Sequence, residues 1–230
     1  MGFLAIMYTI LESIIGSKAY GLALPDSDTD IRSIYVAPTE QVLSIGKLKP
    51  QPQIETNNDG IDTVIWEVET FLGHALKCNP NILEVLWSPL VTKTTLLGDI
   101  LLELRRSFLS KRAIPAYRGY AASQLAKIQK KENERVKHKH AMHLIRLYLA
   151  GLSILERHEV LVDVSEYRDK LLGIRHGDDA AIDSAMGWSY ELDKAFVALA
   201  EKTDLPDEPD YGKVNDYLLL VRKLSWGRHS

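Results

Sequence analysis

The chain contains a single cysteine, Cys78, among its 230 residues, so no disulfide can form within it. One unpaired cysteine is typical of a reducing compartment, and we expect a cytoplasmic protein. The sequence also lacks any run of 18 apolar residues, so we expect no segment that spans a membrane. The apolar start, residues 1–7, has no basic segment before it, and we do not expect it to be a signal peptide.

The chain has no strong excess of either charge, since its formal net charge is −3. This excludes a uniformly basic nucleic-acid-binding protein, but the charge is unevenly distributed. Residues 127–146 contain seven Lys or Arg and only two acidic residues, which leaves the rest of the chain strongly acidic. A local basic segment on an acidic protein predicts an anionic ligand that binds in one place.

Hydrophobic periodicity divides the chain near residue 110. Strand and helix patterns occur before this point, and almost continuous helical patterns follow it. We therefore expect an α/β part in residues 1–110 and a helical part in residues 111–230. The predicted strands are 8–15 (a strand or a helix end), 31–37 and 61–66, with a loop or hairpin over 47–60. The predicted helices are 68–77, 81–86, 94–109, 113–135, 138–159, 178–202 and 211–224.

Residues 16–36 carry the most specific pattern in the sequence. Gly16 and Ser17 end an apolar run, and Asp28 begins an Asp-x-Asp pair that opens a second one. Glycine lets the backbone approach a phosphate closely, and the N–H groups of the following turn, the Ser17 hydroxyl and the Lys18 ammonium would bind phosphate oxygens. Residues two apart in a strand point the same way, so Asp28 and Asp30 are predicted to share one site.

Two carboxylates directed at one point repel each other unless a cation lies between them. Oxygen ligands of this kind suit Mg²⁺ or Mn²⁺. Two-metal phosphoryl transfer normally uses a third carboxylate, and Asp62, at the start of the next strong strand, is the first candidate. Glu67, at the end of the same strand, is the alternative.

The order of these features resembles the signature of the DNA polymerase β-type nucleotidyltransferase superfamily. Residues 16–32, 79–89 and 139–146 are similar to a bacterial and phage subfamily that includes RNA-ligase-associated members of RNA repair. The resemblance implies a mixed β-sheet flanked by helices, with a helical C-terminal region that closes over the nucleotide. It also implies catalytic and metal-binding roles for the three aspartates and a phosphate-binding role for Gly16 and Ser17.

The helix predicted over 138–159 has an apolar face, and Lys139, His143 and Arg146 recur on its other side with helical spacing. We expect this stripe to bind the triphosphate of a nucleotide, with a solvent-exposed helix face as the alternative. Four cations form a second group, for which a solvated face is the first interpretation and contact with an RNA backbone the alternative. They are Lys127, Lys130, Lys131 and Arg135.

These features together predict a metal-dependent enzyme that transfers a nucleotidyl group from a nucleoside triphosphate to a hydroxyl and releases pyrophosphate. An RNA 3′ end is the first choice of acceptor, from the resemblance and the local basic segment. The alternatives are a protein hydroxyl, as in antitoxin nucleotidyltransferases, a small molecule such as an aminoglycoside, and an inactive nucleotide-binding module. The expected cofactor is Mg²⁺ or Mn²⁺, and no membrane partner is expected.

Overall fold

The structure, a computed structural model, describes residues 8–130 and 134–227. Its sheet has five strands in the spatial order β3-β4-β2-β1-β5. Strands β2 and β4 are parallel, whereas the other neighbouring pairs are antiparallel, so the sheet is mixed as expected. The strands are β1 (Tyr8–Ile15), β2 (Thr29–Val36), β3 (Gln53–Asn58), β4 (Ile61–Glu67) and β5 (Leu90–Thr94).

Helices follow the strands and make up nearly all of the described chain after residue 95. The short ones are α1 (Gly16–Ala19), α2 (Thr39–Val42), α3 (Val68–Ala75), α4 (Pro80–Trp87), α5 (Leu96–Leu104) and α8 (Arg168–His176). The long ones are α6 (Ala113–Gln129), α7 (Glu134–Arg157), α9 (Asp179–Ala200) and α10 (Tyr211–Leu224). No helix among the described residues is both long and apolar enough to cross a membrane.

Local sequence explains several of these boundaries. Asn79 begins α4 because its side chain accepts a hydrogen bond from the N–H of Asn81, while Pro80 occupies the first helical turn. Asp178 caps α9 in the same way. Between β3 and β4, Asp59 and Gly60 both have positive φ, which is the geometry of a tight hairpin turn.

The structure decides one open alternative and differs from the sequence prediction in two short elements. Of the loop or hairpin predicted over 47–60 it shows the hairpin, with β3 as its first arm. Strand β5 is an edge strand whose five residues are all exposed, so it lacks the alternation that marks a half-buried strand. Helix α8 lies between the helices predicted over 138–159 and 178–202, where no helix was expected, and it contains Gly173 without a break.

The hydrophobic core is continuous from the sheet to the last helix. One buried cluster joins Ile10 and Ile34 of the sheet to Leu144 of α7 and Val221 of α10. Helix α7 packs against α6, α8 and α9, so it is enclosed by other helices along much of its length. The predicted division near residue 110 therefore separates two patterns of secondary structure that share one core, and the two-domain description stays a prediction.

Candidate active site

Two of the predicted aspartates are direct neighbours in the sheet. Asp30 on β2 is the register partner of Asp62 on β4, and Ile15, at the end of β1, is the partner of Asp30 on the other side. Neighbouring strands lie about 4.8 Å apart, so the three backbone positions form one short row at one edge of the sheet. The strand that begins near Asp62 therefore lies beside the strand that carries Asp30.

Gly16 lies directly under the carboxylate of Asp30. Its φ is +70°, which disfavours any residue with a side chain. A Cβ atom built at this position would overlap Oδ2 of Asp30, so the close approach of this carboxylate to the backbone requires glycine. Gly16 after β1 and Asp30 at the start of β2 thus pack directly against each other, and we call Gly16 the glycine floor.

Asp28 directly precedes β2 and lies close enough to Asp30 to raise its pKa. Its side chain is exposed, and a Cβ atom at Gly60 would come within 3.3 Å of its Oδ1. The N–H of Thr29 donates to the carbonyl of Gly60 over 2.9 Å, which fixes the start of β2 against the turn before Asp62. We call Asp28, Asp30 and Asp62 together the acidic site.

The electrostatics of Asp30 reflect this crowding. Burial is the main cause that raises its pKa, and the carboxylates of Asp62 and Asp28 raise it further. Arg32 and Lys139 act in the opposite direction on the pKa of Asp30. The pKa of Asp30 therefore depends on the charges of two other acids and two cations, although these residues come from different elements of the fold.

Glu67, the alternative third carboxylate, lies at the far end of β4. It is five residues beyond Asp62, or roughly 17 Å along an extended strand. It is buried, and both of its oxygens accept hydrogen bonds from Arg222 of α10, at 2.8 and 2.9 Å. Glu67 thus secures the last helix to the sheet, and Asp62 is the acid beside the Asp-x-Asp pair.

Arg32 is a member of the site that the sequence analysis missed. Its Nη2 donates to Oδ2 of Asp62 over 2.9 Å and lies 3.7 Å from Oδ1 of Asp30. Its Nη1 donates to the carbonyls of Ile31 and Asp62. The sequence feature that could have identified Arg32 is its spacing from Asp30, because a residue two places after Asp30 projects from the same face of the strand.

The carboxylates are not drawn together into a closed ligand cage. Among the described residues, no group of three or more His, Cys, Asp or Glu side chains is gathered closely enough to hold a metal ion. One feature nevertheless fits a hard divalent cation: the donors are carboxylate oxygens. The predicted Mg²⁺ or Mn²⁺ site stays a prediction.

The predicted phosphate-binding residues lie next to the acidic site. Ser17 and Lys18 are in α1, immediately after the glycine floor, and Nζ of Lys18 donates to Oγ1 of Thr29 at 2.5 Å. Lys139 is exposed and close enough to lower the pKa of Asp30. The nucleotide-binding roles of these residues stay predictions.

Arg146 occupies a different environment from the one expected. It is buried, and its Nη2 donates to Oε1 of Glu84 in α4 over 2.6 Å. The hydroxyl of Tyr20 donates to the other oxygen of Glu84 over 2.7 Å. The predicted open stripe is therefore wrong for Arg146, because α7 is enclosed by α6, α8 and α9. Contact between Arg146 and a nucleotide would require this pair to open.

His143 does not supply the positive charge predicted for it. Burial lowers its pKa well below the ordinary value, and the charges of Arg146 and Lys139 lower it further. Nη1 of Arg146 lies 3.3 Å from Nδ1 of His143, so Nδ1 accepts and the proton of the neutral ring is on Nε2. His143 can offer a neutral N–H donor to a ligand.

The second basic group is only partly described. Lys127 and Lys130 lie at the end of α6, where Lys130 is exposed. Lys131 lies outside the described residues, and so does the side chain of Arg135. The choice between a solvated face and an RNA-binding face stays open for this group.

All of these site residues lie in a part of the chain that matches a known protein family. Residues 5–220 match the model of the RNA repair pathway DNA polymerase beta family, RlaP. The chain belongs to this family. This confirms the resemblance to the DNA polymerase β-type superfamily that residues 16–32 indicated.

Individual relatives are distant. The chain is 32% identical over 132 residues to an uncharacterized 38.9 kDa protein of Enterobacteria phage T4, covering 53% of this chain and 39% of that protein. It is 28% identical over 161 residues to an uncharacterized protein of Methanocaldococcus jannaschii, covering 69% and 65% respectively. It therefore spans less than two thirds of either relative.

Among solved structures, a nucleotidyltransferase-like protein from Exiguobacterium sibiricum aligns with 96% of this chain and 75% of its own. The TM-score is 0.35 and the sequence identity 10%. This similarity is too slight to assign any residue, and the roles of the site residues depend on this chain's own geometry.

Proposed function

We propose that this protein transfers a nucleotidyl group from a nucleoside triphosphate to the 3′ hydroxyl of an RNA. The oxygen of the acceptor hydroxyl forms a bond to the α-phosphorus, and the bond between that phosphorus and the bridging oxygen breaks, which releases pyrophosphate. The proposal depends most on one observation: Asp30 and Asp62 are register partners above the glycine floor at Gly16.

The acidic site would hold the divalent cation that the family's chemistry needs. Asp30 and Asp62 would be its main ligands, with Asp28 at the exposed side. A bound Mg²⁺ or Mn²⁺ would lower the pKa of the attacking hydroxyl and neutralise charge on the phosphates. The hydroxyl proton would pass to a carboxylate oxygen of Asp62, which lies beside Asp30 at the same edge of the sheet.

The triphosphate would lie along the start of α1. The first N–H groups of a helix have no partners within the helix, and the N-terminus of α1 has no side-chain cap. These N–H groups, the Ser17 hydroxyl, the Lys18 ammonium and the exposed Lys139 offer donors and positive charge beside the acidic site. Neutral His143 can add one N–H donor.

An RNA acceptor is supported by the family's description as part of an RNA repair pathway. The excess of Lys and Arg over acidic residues in residues 127–146 adds a second reason, because cations that neutralise phosphates supply much of the affinity for RNA. Lys130, at the exposed end of α6, and Lys139, beside the acidic site, both belong to that segment.

The test is a transfer assay with each α-labelled nucleoside triphosphate, Mg²⁺ and a short RNA. We expect label on RNA with a free 3′ hydroxyl and none on the same RNA with a 3′-deoxy end. Asp30→Asn should abolish transfer, whereas Asp26→Asn, an exposed acid in the same loop, should retain it. Label on protein alone would contradict the RNA acceptor and favour protein modification. Failure to transfer to RNA, protein or a small-molecule hydroxyl would contradict the enzymatic proposal.

A further inference from the structure

Arg32 places a fixed positive charge inside the acidic site. Its side chain is only 14% exposed, and its Nη2 lies between a carboxylate oxygen of Asp62 at 2.9 Å and one of Asp30 at 3.7 Å. This is the region in which a cation shared by the two carboxylates would lie. The guanidinium therefore occupies, in part, the place that the proposed function gives to a divalent metal.

We propose that Arg32 is an internal counter-ion that competes with the divalent cation for Asp30 and Asp62. The inference depends on the proposed function, since it concerns how the same site becomes loaded. Without metal, Arg32 neutralises the carboxylate pair and holds it in an arrangement that is not a ligand cage. Metal binding then requires Nη2 to give up its two carboxylate contacts.

Charge explains why such a counter-ion is needed. Asp28, Asp30 and Asp62 place three carboxylates near one edge of the sheet, and like charges that lie close together repel one another. Arg32 is bonded to the side chain of Asp62 and lies close to that of Asp30, so it relieves repulsion in the metal-free protein. The same positive charge opposes a divalent ion that approaches the same oxygens.

The remaining contacts of Arg32 suggest how it can yield without leaving the site. Nη1 donates to the main-chain carbonyls of Ile31 and Asp62, at 2.9 and 3.0 Å. These bonds do not involve a carboxylate, so they can persist while Nη2 moves. The exchange of Arg32 for metal is then a local rotation of a guanidinium that stays anchored to both strands.

An opposite role for Arg32 makes the opposite prediction. Carboxylates that bind metals are often oriented by hydrogen bonds from neighbouring groups, and loss of such a partner typically weakens metal binding by about 10–100-fold. If Arg32 mainly orients Asp62, its removal weakens binding. If it mainly competes, its removal strengthens binding, so the direction of the change decides between the two roles.

The experiment measures binding of Mn²⁺ alone by calorimetry, without nucleotide, to the wild-type protein and to Arg32→Gln. We expect Arg32→Gln to bind Mn²⁺ at least about tenfold more tightly. We also expect it to melt at a lower temperature without metal and to gain more in melting temperature on Mn²⁺ addition. Arg32→Lys, which keeps the charge but loses the planar fork, should bind more weakly than Arg32→Gln.

Two further variants separate the possible failures. Arg222→Gln removes an arginine that is about as buried as Arg32 and is paired with Glu67 at the far end of β4, and it should lower stability without altering Mn²⁺ affinity. Asp62→Asn should lose Mn²⁺ binding. If the wild-type protein binds Mn²⁺ and Arg32→Gln binds it with equal or lower affinity, the proposed competition is wrong but the metal-dependent function is not. Absence of Mn²⁺ binding in both proteins would overturn the metal-dependent function as well.

A measurement on the wild-type protein avoids any problem with folding of the variants. The side-chain N–H signals of Arg32 in a nitrogen-15 NMR spectrum report its hydrogen bonds. Addition of Mg²⁺ should shift these signals and speed their exchange with water as Nη2 leaves the carboxylates. Signals that stay unchanged while Mg²⁺ binds would contradict the proposal.

Discussion

The guanidinium of Arg146 lies 3.0 Å from the centroid of the Tyr20 ring, and both side chains bind the same buried carboxylate, Glu84. Tyr20 directly follows α1, so this cluster connects α7 and α4 to the turn that carries Gly16 and Ser17. Arg168 of α8 reinforces the connection by donating to the carbonyls of Gly21 and Ala23. Residues of α4, α7 and α8 thus hold the chain segment that directly follows the predicted phosphate-binding turn.

We predict that Arg146→Met strongly destabilises the fold. The substitution leaves Glu84 buried next to Tyr20 without its cation, and breaking a buried pair in this way costs about 3–5 kcal/mol. Chemical denaturation measures the change in the free energy of unfolding. The double variant Arg146→Met/Glu84→Gln removes the unpaired charge and should recover part of the loss. A cost below about 1 kcal/mol for the single variant would be that of an exposed ion pair and would contradict the buried geometry.

We predict that Gly16→Ala abolishes transfer. Its φ of +70° costs a residue with a Cβ about 1–2 kcal/mol, and the methyl group would displace the carboxylate of Asp30. Gly73→Ala is the control, since Gly73 lies in α3 with open space around it, and should stabilise the protein by about 0.5–1 kcal/mol. Transfer rates and thermal unfolding of both variants check the prediction. An active Gly16→Ala enzyme would show that the glycine floor is not needed.

The sequence predicted the parts of the site that follow from local pattern. Gly16, Asp28 and Asp30 are close in sequence, and the pattern placed Asp28 and Asp30 at the start of a strand, which is β2 with Asp28 just before it. The choice of Asp62 over Glu67 needed the register of β2 and β4, which depends on long-range pairing. Periodicity alone assigns one apolar face to a helix, so it did not show that α7 is enclosed and that Arg146 is buried.

We predict that Asp62→Asn lowers the transfer rate by at least about a hundredfold, because a metal ligand contributes several kcal/mol to stabilising the transition state. Asp59→Asn is the matched control. It changes an exposed acid in the adjacent turn, and asparagine tolerates its φ of 48°. Single-turnover kinetics with labelled triphosphate check both variants. Equal rates for Asp62→Asn and the wild-type protein would remove Asp62 from the catalytic site.

We predict that Lys139→Ala raises the KM for the triphosphate by about fivefold, equivalent to roughly 1 kcal/mol, and leaves the fold intact. Lys139 is exposed and lies near the acidic site, so its charge acts on the ligand and contributes little to the core. Lys130→Ala, at the exposed end of α6, should leave this KM unchanged. Steady-state kinetics at varied triphosphate concentration provide the comparison. An unchanged KM for Lys139→Ala would mean that Lys139 is a solvated surface residue.

We predict that His143 makes the fold less stable in acid. Its pKa is well below 6.5 in the folded protein, chiefly because of burial, and returns to about that value on unfolding. Below about pH 6.5 the unfolded chain therefore binds a proton that the folded chain does not. The free energy of unfolding then falls as the pH falls, by up to about 1.4 kcal/mol per pH unit.

The variant His143→Gln should remove this contribution to the pH dependence, whereas His176→Gln, at the exposed end of α8, should keep it. Urea denaturation at pH 7.5 and pH 5.5 measures the difference in the free energy of unfolding. Identical pH dependence in the wild-type protein and His143→Gln would contradict a neutral His143 in the folded protein.

A crystal soaked with Mn²⁺ and a non-hydrolysable nucleoside triphosphate would examine the acidic site itself. We expect an anomalous peak bonded to carboxylate oxygens of Asp30 and Asp62, with the triphosphate against Gly16 and Ser17. A nucleotide bound elsewhere, or a manganese ion that does not touch this carboxylate pair, would contradict the assignment of the active site.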